Sequence, residues 1–107
     1  MHIKGIAHRD IKTENILFDK NYSIKIIDFG FSSEFKDEKG QRFPVKTKNI
    51  GTIKCNAPEL INGDNENIHC DILDLFSAGC VLFEMTIGSV PFKSSHFEDE
   101  YYNKLTQ

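Results

Sequence analysis

The sequence predicts an α+β fold that is mostly helical and contains one small β-hairpin. Residues 16–18 and 24–27 are short and rich in strand-forming types, and the turn-forming residues 19–21 follow the first of them, which is the pattern of a hairpin. The apolar run from Leu75 to Ile87 has the length of a helix. It is shorter than the roughly 20 residues of a membrane span and it contains Glu84, so we expect a buried helix in a globular domain. A length of 107 residues is enough for one domain.

A polar loop and a short helix are expected in the middle of the chain. Residues 31–50 are polar and mixed in charge, and they predict a long loop. Loops of that length in compact domains are usually functional or disordered. Residues 57–62 suit a short helix, because Pro58 stands near its start and Gly63 follows its end.

The apolar run is expected to form a helix with a defined start and end. Asp74 is a residue type that caps helix N-termini, so the helix is predicted over 74–87. Gly88 ends it, and Pro91 prevents it from resuming. Because it is apolar nearly all round, we expect a core to bury it. Residues 98–107 are expected to begin a further helix.

Composition and charge narrow the classes of function. The formal net charge is −3, whereas binding to nucleic acid needs a basic surface, so no nucleic-acid partner is expected. The cysteines Cys55, Cys70 and Cys80 are odd in number and lack C-x-x-C spacing, which argues against a disulfide framework and a zinc site. Free thiols fit a reducing compartment, and the N-terminal residues contain no apolar stretch of signal-peptide length. We therefore expect a cytoplasmic protein without a membrane partner; a nuclear location stays open.

Four short segments carry the chemistry: HRDIKTEN at 8–15, DFG at 28–30, GT at 51–52 followed by APE at 57–59, and DLFSAG at 74–79. Asp10 and Asn15 stand five residues apart in a loop, and Asp28, at the end of the hairpin, can return to face them. Such oxygen ligands suit Mg²⁺ combined with substrate phosphates. Lys12 adds a cation beside Asp10, so the set meets the demands of phosphoryl transfer.

These segments resemble the signature motifs of the eukaryotic protein serine/threonine kinases in order, spacing and predicted context. The resemblance covers nearly the whole chain and implies a fragment of a kinase-like C-terminal lobe. It implies a partial protein kinase domain over 1–107, with a catalytic loop at 8–15, a Mg loop at 28–30, an activation segment at 28–59 and the buried helix at 74–87. The activity implied is transfer of the γ-phosphate of ATP to a Ser or Thr hydroxyl of a protein substrate, with ATP and Mg²⁺ as cofactors.

The resemblance also implies a role for each matched residue. Asp10 accepts a hydrogen bond from the substrate hydroxyl, and Lys12 contacts the transferred phosphate and favours Ser/Thr over Tyr specificity. Asn15 and Asp28 are the Mg²⁺ ligands, and Leu17 lies under the adenine ring. Taken singly, the aspartates and the asparagine are better explained as loop caps and turn formers.

A second group of matched residues lies in the loops around this site. Arg9 resembles the arginine that a phosphorylated loop residue neutralises, and Thr47 is the best-placed candidate for that residue, which implies an upstream activating kinase. An ordinary loop threonine is the alternative for Thr47. Thr52 resembles the threonine that bonds the catalytic aspartate. Glu59 resembles a carboxylate that pairs with a later arginine, which the 107 residues do not include.

Other matched residues are expected to be structural. His8 resembles a histidine that packs near Phe29, and Gly30 completes the same motif. Asp74 resembles an aspartate that holds the backbone of the catalytic loop, with a plain helix cap as the alternative. Glu84 is a structural residue in one interpretation and a contact for a basic substrate residue in the other. The remaining histidines, His2, His69 and His96, are expected at the surface.

Some parts of the family pattern are not among the 107 residues: the G-x-G-x-x-G loop, the strand lysine of the Val-Ala-Ile-Lys type and its helix glutamate. We therefore expect the 107-residue chain alone to be inactive, with apolar faces of its helix exposed. One hypothesis is a genuine kinase whose sequence here is incomplete. A second is a non-catalytic kinase-like fragment that acts as a binding or competitor module. A third, an unrelated small binding module, requires the motifs to be accidental.

Overall fold

The computed structural model describes residues 1–47, 50–63 and 66–107, and within them it confirms the predicted α+β class. The helices of this part are α1 (Pro58–Asn62), α2 (Cys70–Ile87) and α3 (Glu100–Thr106). Two small antiparallel sheets pair β1 (Ile6–Ala7) with β4 (Ser33–Glu34) and β2 (Ile16–Phe18) with β3 (Ile24–Ile26). None of the helices described is both long and apolar enough to cross a bilayer.

The β2–β3 hairpin forms where the sequence predicts it. Ile16 faces Ile26 in the antiparallel register. In the turn, the Asp19 carboxylate accepts hydrogen bonds from the backbone N–H groups of Asn21 at 2.8 Å and Ser23 at 3.0 Å. A short acidic side chain that bonds backbone groups a few residues ahead fixes a tight turn, so the local sequence determines this element.

Helix α2 begins at Cys70 and not at Asp74, so the predicted start was wrong. His69 is the N-cap residue and makes no side-chain cap hydrogen bond. The first turn is held by packing, because Cys70 and Leu73 lie in the core at 0% and 3% exposure. The end is as predicted: Gly88 has φ 85°, and its N–H donates to the Glu84 carbonyl at 2.8 Å.

The expected burial of α2 on all sides was also wrong. The helix buries one face, whereas Leu75, Leu82 and Met85 are 67%, 67% and 65% exposed. The described residues supply packing partners for only that one face. Apolar residues of α2 are therefore exposed, as we expected because parts of the family pattern are not among the 107 residues.

The main core lies beneath the start of the catalytic loop. It joins β1, the segment after β4, α1 and the first turns of α2, through Ala7, Phe35, Ala57, Leu60, Ile68, Cys70 and Leu73. A smaller cluster contains Cys55, Cys80 and Phe92. All three cysteines are free and buried. Since Ala7 directly precedes His8, the core fixes the point at which the catalytic loop begins.

The described part of the predicted long loop is more ordered than its composition indicates. Besides β4, Phe43 N–H donates to the Phe35 carbonyl at 2.9 Å, and Val45 and Ile68 form an isolated β-bridge. Phe35 is 1% exposed and anchors the segment to the core. The C-terminal helix was predicted within 98–107, and α3 occupies Glu100–Thr106.

Candidate active site

Asp10 lies at the centre of a buried polar cluster. It is only 6% exposed. Its Oδ1 accepts hydrogen bonds from the backbone N–H and the hydroxyl of Thr52, both at 2.9 Å, and its Oδ2 lies 3.1 Å from Nζ of Lys12. A buried carboxylate needs such partners, and together they hold it in one orientation.

The loop after Asp10 folds back so that Asn15 rejoins it. A 3₁₀ turn over Thr13–Asn15 reverses the chain, and Asn15 N–H donates to the Lys12 carbonyl at 3.0 Å. The Asn15 amide Nδ2 then donates to the Asp10 carbonyl at 2.9 Å and lies 3.3 Å from Asp10 Oδ2. No described residue bonds the Asn15 side-chain oxygen, which leaves this atom available to a ligand.

Thr52 reaches the catalytic loop because a glycine precedes it. Gly51 has φ 76°, and a Cβ at this position would lie 2.7 Å from the Arg9 carbonyl oxygen, so only glycine fits. The approach brings the Thr52 hydroxyl within 2.9 Å of Lys12 Nζ as well as of Asp10. Thr52 thus links the carboxylate of Asp10 and the ammonium group of Lys12.

The hairpin returns Asp28 to the neighbourhood of Asn15. Ile27 N–H donates to the Asn15 carbonyl at 2.9 Å, which places the next residue, Asp28, beside the loop. Asp28 has φ 62°, an uncommon value for a residue other than glycine, and such values cluster at functional sites. Its Oδ1 accepts a long hydrogen bond from Gly30 N–H at 3.3 Å. Its Oδ2 has no hydrogen-bond partner among the residues described.

His8 is fully buried, and both of its ring nitrogens have partners. Nε2 lies 2.8 Å from the Ile27 carbonyl, and Nδ1 accepts the Asp10 N–H at 3.2 Å. The Phe29 ring packs against it edge-on with 4.8 Å between ring centroids. Because a carbonyl requires a donor at Nε2 and the amide requires an acceptor at Nδ1, the neutral imidazole fits this position. His8 is thus arranged to connect the loop to the hairpin.

Asp74 holds the backbone of the catalytic loop from inside α2. Its Oδ2 accepts the His8 N–H and its Oδ1 accepts the Arg9 N–H, both at 2.7 Å. Arg9 has φ 66°, so this anchor stabilises a backbone conformation that is otherwise unfavourable. His2 adds a third contact, with Nε2 2.7 Å from Asp74 Oδ2. Sequence reasoning placed His2 at the surface, and no local pattern in the sequence indicates a pairing across 72 positions.

Arg9 connects the catalytic loop to the activation segment. Its Nη1 donates to the Thr47 hydroxyl at 2.9 Å, and its Nε donates to the Phe31 carbonyl at 2.6 Å. Thr47 is buried, at 6% exposure. The guanidinium therefore lies against the hydroxyl that the sequence singled out for phosphorylation.

Comparison with known proteins agrees with this geometry. Residues 1–107 match the family model described as protein kinase domain. The chain belongs to the protein kinase family. The serine/threonine-protein kinase PKH1 of Saccharomyces cerevisiae is 37% identical over 105 residues, which cover 90% of this chain and 13% of that protein. CHK1 of the same yeast is 38% identical over 101 residues, covering 94% and 19%.

Further relatives place this kinase chain in the serine/threonine branch of the family. The 3-phosphoinositide-dependent protein kinase B of Dictyostelium discoideum is 37% identical over 93 residues. Those residues cover 87% of this chain and 10% of the Dictyostelium protein. The chain thus spans between 10% and 19% of the length of the three relatives named.

The kinase chain offers two of the ligands that a magnesium ion needs. The Asn15 amide oxygen and the Asp28 carboxylate are hard oxygen donors, and Mg²⁺ commonly combines one or two such groups with phosphate oxygens and water. Within the described ranges, no cluster of three or more His, Cys, Asp or Glu side chains is suited to hold a metal without such help. The residues present therefore fit an ion that arrives with a nucleotide.

Two predicted site residues of the kinase make no side-chain hydrogen bond or ion pair with this cluster among the residues described. Leu17, on β2, is 49% exposed. Glu59 lies in the first turn of α1 and forms no ion pair with any residue in 1–47, 50–63 or 66–107. The roles implied for these two residues stay predictions.

Proposed function

We propose that this chain carries the catalytic loop and activation segment of a protein serine/threonine kinase that transfers the γ-phosphate of ATP to Ser or Thr hydroxyls of proteins. The observation that carries the proposal is the buried cluster in which Thr52, Lys12 and Asn15 all contact the Asp10 carboxylate. We also propose a cytoplasmic location, because three free thiols persist in a reducing compartment.

Asp10 is the group that receives the substrate hydroxyl. As the substrate oxygen bonds to the γ-phosphorus and the bond from phosphorus to the ADP oxygen breaks, the hydroxyl proton passes to the Asp10 carboxylate. Thr52 and Lys12 fix that carboxylate before substrate arrives, so no reorientation is needed. Lys12 Nζ lies between Asp10 Oδ2 and the Thr52 hydroxyl, from where it can contact the transferred phosphate.

Asn15 and Asp28 are proposed to hold the magnesium ion of the nucleotide. When bound, Mg²⁺ neutralises charge on the phosphate oxygens. The support is the side-chain oxygen of Asn15 and the Oδ2 of Asp28, which bond no described residue. The hydrogen bond from Ile27 to the Asn15 carbonyl keeps the two segments together.

Thr47 is proposed as the site at which an upstream kinase activates the protein. A phosphate there would add a charge of about −1.5 to −2 beside the Arg9 guanidinium. Arg9 already donates to the Thr47 hydroxyl, and its backbone is held by Asp74. Phosphorylation would therefore strengthen a link between the activation segment and the catalytic loop.

The proposal is tested with the protein purified from its own cells and labelled ATP. The Asp10→Asn variant should lose transfer to serine peptides by about 100-fold or more, because a positioned base contributes on that order. Asp19→Asn is the matched control, since Asp19 lies in the hairpin turn outside the cluster and asparagine keeps an acceptor oxygen there. Equal transfer by the native protein and Asp10→Asn would contradict the proposal.

A non-catalytic binding module is the second candidate function. The observation that favours it is the exposure of Leu75, Leu82 and Met85 on one helix, since apolar patches of that kind mark interaction surfaces. The 107-residue chain by itself is expected to transfer no phosphate, because it contains no glycine-rich loop and no strand lysine. A protein purified from its own cells that binds a partner but transfers no phosphate would favour this candidate.

A further inference from the structure

A charged cluster adjoins the catalytic cluster and takes no part in the chemistry above. Nζ of Lys54 lies 3.5 Å from Oε1 of Glu14 and 4.0 Å from Oε1 of Glu84. The hydroxyl oxygen of Thr13 lies 3.1 Å from the second oxygen of Glu14 and 2.9 Å from that of Glu84. One ammonium group and one hydroxyl thus join two carboxylates that come from the catalytic loop and from α2.

The cluster lies within reach of a peptide whose hydroxyl is at Asp10. The catalytic loop and the segment after Gly51 run side by side, linked first by Lys12 and Thr52 and then by Glu14 and Lys54. Two residues of extended chain span at most about 7 Å, so Glu14 lies within that distance of Lys12 along the backbone. A substrate residue one or two positions from the phosphorylated residue lies within the same distance of Asp10. Its side chain can therefore contact the charged cluster.

The cluster is accessible to solvent and is already internally paired. The side chains of Glu14, Lys54 and Glu84 are 57%, 31% and 23% exposed. The pKa of Glu14 lies below its usual value, mainly through a hydrogen bond from its own backbone N–H and to a smaller extent through Thr13 and Lys54. The chain therefore presents its own cation to the two carboxylates.

We propose that Lys54 is a specificity-determining residue that occupies the carboxylate pair of Glu14 and Glu84 and removes a preference for a basic residue beside the phosphorylated Ser or Thr. The inference rests on the proposed kinase function and deepens it by naming the class of substrate. An arginine arriving at the pair meets carboxylates already bonded and an ammonium of like charge. Without Lys54, the same pair is a free acceptor for a guanidinium.

The test compares Lys54→Ala with the native protein, both purified at full length from their own cells. The substrates are a set of serine peptides, each with one arginine at a different position near the serine. The same peptides with alanine in place of the arginine serve as references. The arginine-to-alanine ratio of kcat/KM should be near one in the native protein. It should rise about fivefold at one or two adjacent positions in Lys54→Ala, the size expected for partly exposed ion pairs.

Two further variants separate this inference from a general effect of charge. Lys39→Ala removes the same charge from an exposed turn, and its ratios should match those of the native protein. Adding Glu84→Gln to Lys54→Ala should return the raised ratio toward one. Unchanged ratios in Lys54→Ala, or a native protein that already prefers arginine at these positions, would overturn the inference.

A second readout keeps the inference distinct from the proposed function. If the native protein transfers no phosphate to any peptide, the kinase proposal fails, and binding of the same peptides by fluorescence anisotropy replaces the kinetic ratio. In that case arginine peptides should bind Lys54→Ala about fivefold more tightly than the native protein, and equal binding contradicts the inference.

Discussion

The two halves of helix α2 differ in how deeply they are buried. The first half, residues 70–77, carries the buried residues Leu73, Asp74 and Ser77. The second half, residues 78–87, exposes most of its apolar side chains, Met85 at 65% and Ile87 at 62% among them. The first half is the more deeply buried although its Leu75 is exposed, whereas Cys80 and Val81 are the buried residues of the second half. The Asp74 carboxylate of the first half bonds the backbone of the catalytic loop.

The difference in burial between the two halves of α2 matches a difference in their contacts. Asp74 of the first half anchors the catalytic loop through the backbone N–H groups of His8 and Arg9. The exposed face of α2 forms an apolar groove with the hairpin, lined by Phe18, Ile24, Leu82 and Met85 among others.

The largest effect is expected for Asp74→Ala. The substitution removes the acceptor of two backbone N–H groups, those of His8 and Arg9, in a buried position. Each unsatisfied buried donor costs about 1–3 kcal/mol, so the loss of the acceptor of two donors should lower the free energy of unfolding in urea by about 4 kcal/mol. Asp71→Ala is the control in the same helix, since Asp71 pairs with the half-exposed Arg42 and should cost less than about 1 kcal/mol. Equal losses would contradict the anchor.

Two leucines allow the buried and the exposed face of α2 to be compared with the same substitution. Leu73 is 3% exposed and Leu82 is 67% exposed. Leu73→Ala should lower the free energy of unfolding by about 3 kcal/mol through lost burial and a residual cavity. Leu82→Ala should change it by less than about 0.5 kcal/mol. Comparable losses for both variants would mean that the second half of α2 is covered in solution.

Burial on the inner side of α2 should also suppress thiol reactivity. Burial raises the pKa of Cys80 to about 11, with a smaller contribution from Cys55. The thiolate is the reactive form, so Cys80 should resist iodoacetamide at pH 8 in the native protein and react in urea. Mass spectrometry of the alkylated peptides measures both rates. Rapid labelling of native Cys80 would show that this part of the helix is open.

The smallest effect is expected at the start of α3. Backbone N–H groups, that of Tyr102 first, lower the pKa of Asp99 at the N-cap. A folded-state pKa below the unfolded value means that this contribution is present at neutral pH and disappears as pH falls through the folded pKa. Asp99→Ala should speed amide exchange at Tyr101 and Tyr102 at neutral pH and leave the catalytic loop unchanged. Exchange that does not respond would exclude Asp99 as the cap.

Local signals in the sequence predicted the elements that local interactions determine. The hairpin depends on its Asp19 turn, the end of α2 depends on Gly88, and both appear as expected. The start of α2 was wrong because Asp74 bonds a distant loop and not its own helix end. Its partners are 65 and 66 positions away, a separation that no helix pattern reports.

The candidate site shows the same division. The motifs identified Asp10, Lys12 and Asn15 because their spacing along one loop is informative. The pairing of His2 with Asp74 and of Lys54 with Glu84 depends on tertiary packing, and neither follows from spacing. The expectation that a core buries α2 on all sides was wrong, because an apolar sequence does not show whether a partner covers each face.

The buried half of α2 holds the catalytic loop in place through Asp74. Hydrogen exchange at the amides of His8 and Arg9 tests it most directly, since both donate to that carboxylate. We expect both amides to exchange on the order of 100-fold or more slowly than in an unstructured peptide, and this protection to disappear in Asp74→Ala. Exchange of both amides at the unstructured rate in the native protein would contradict the claim.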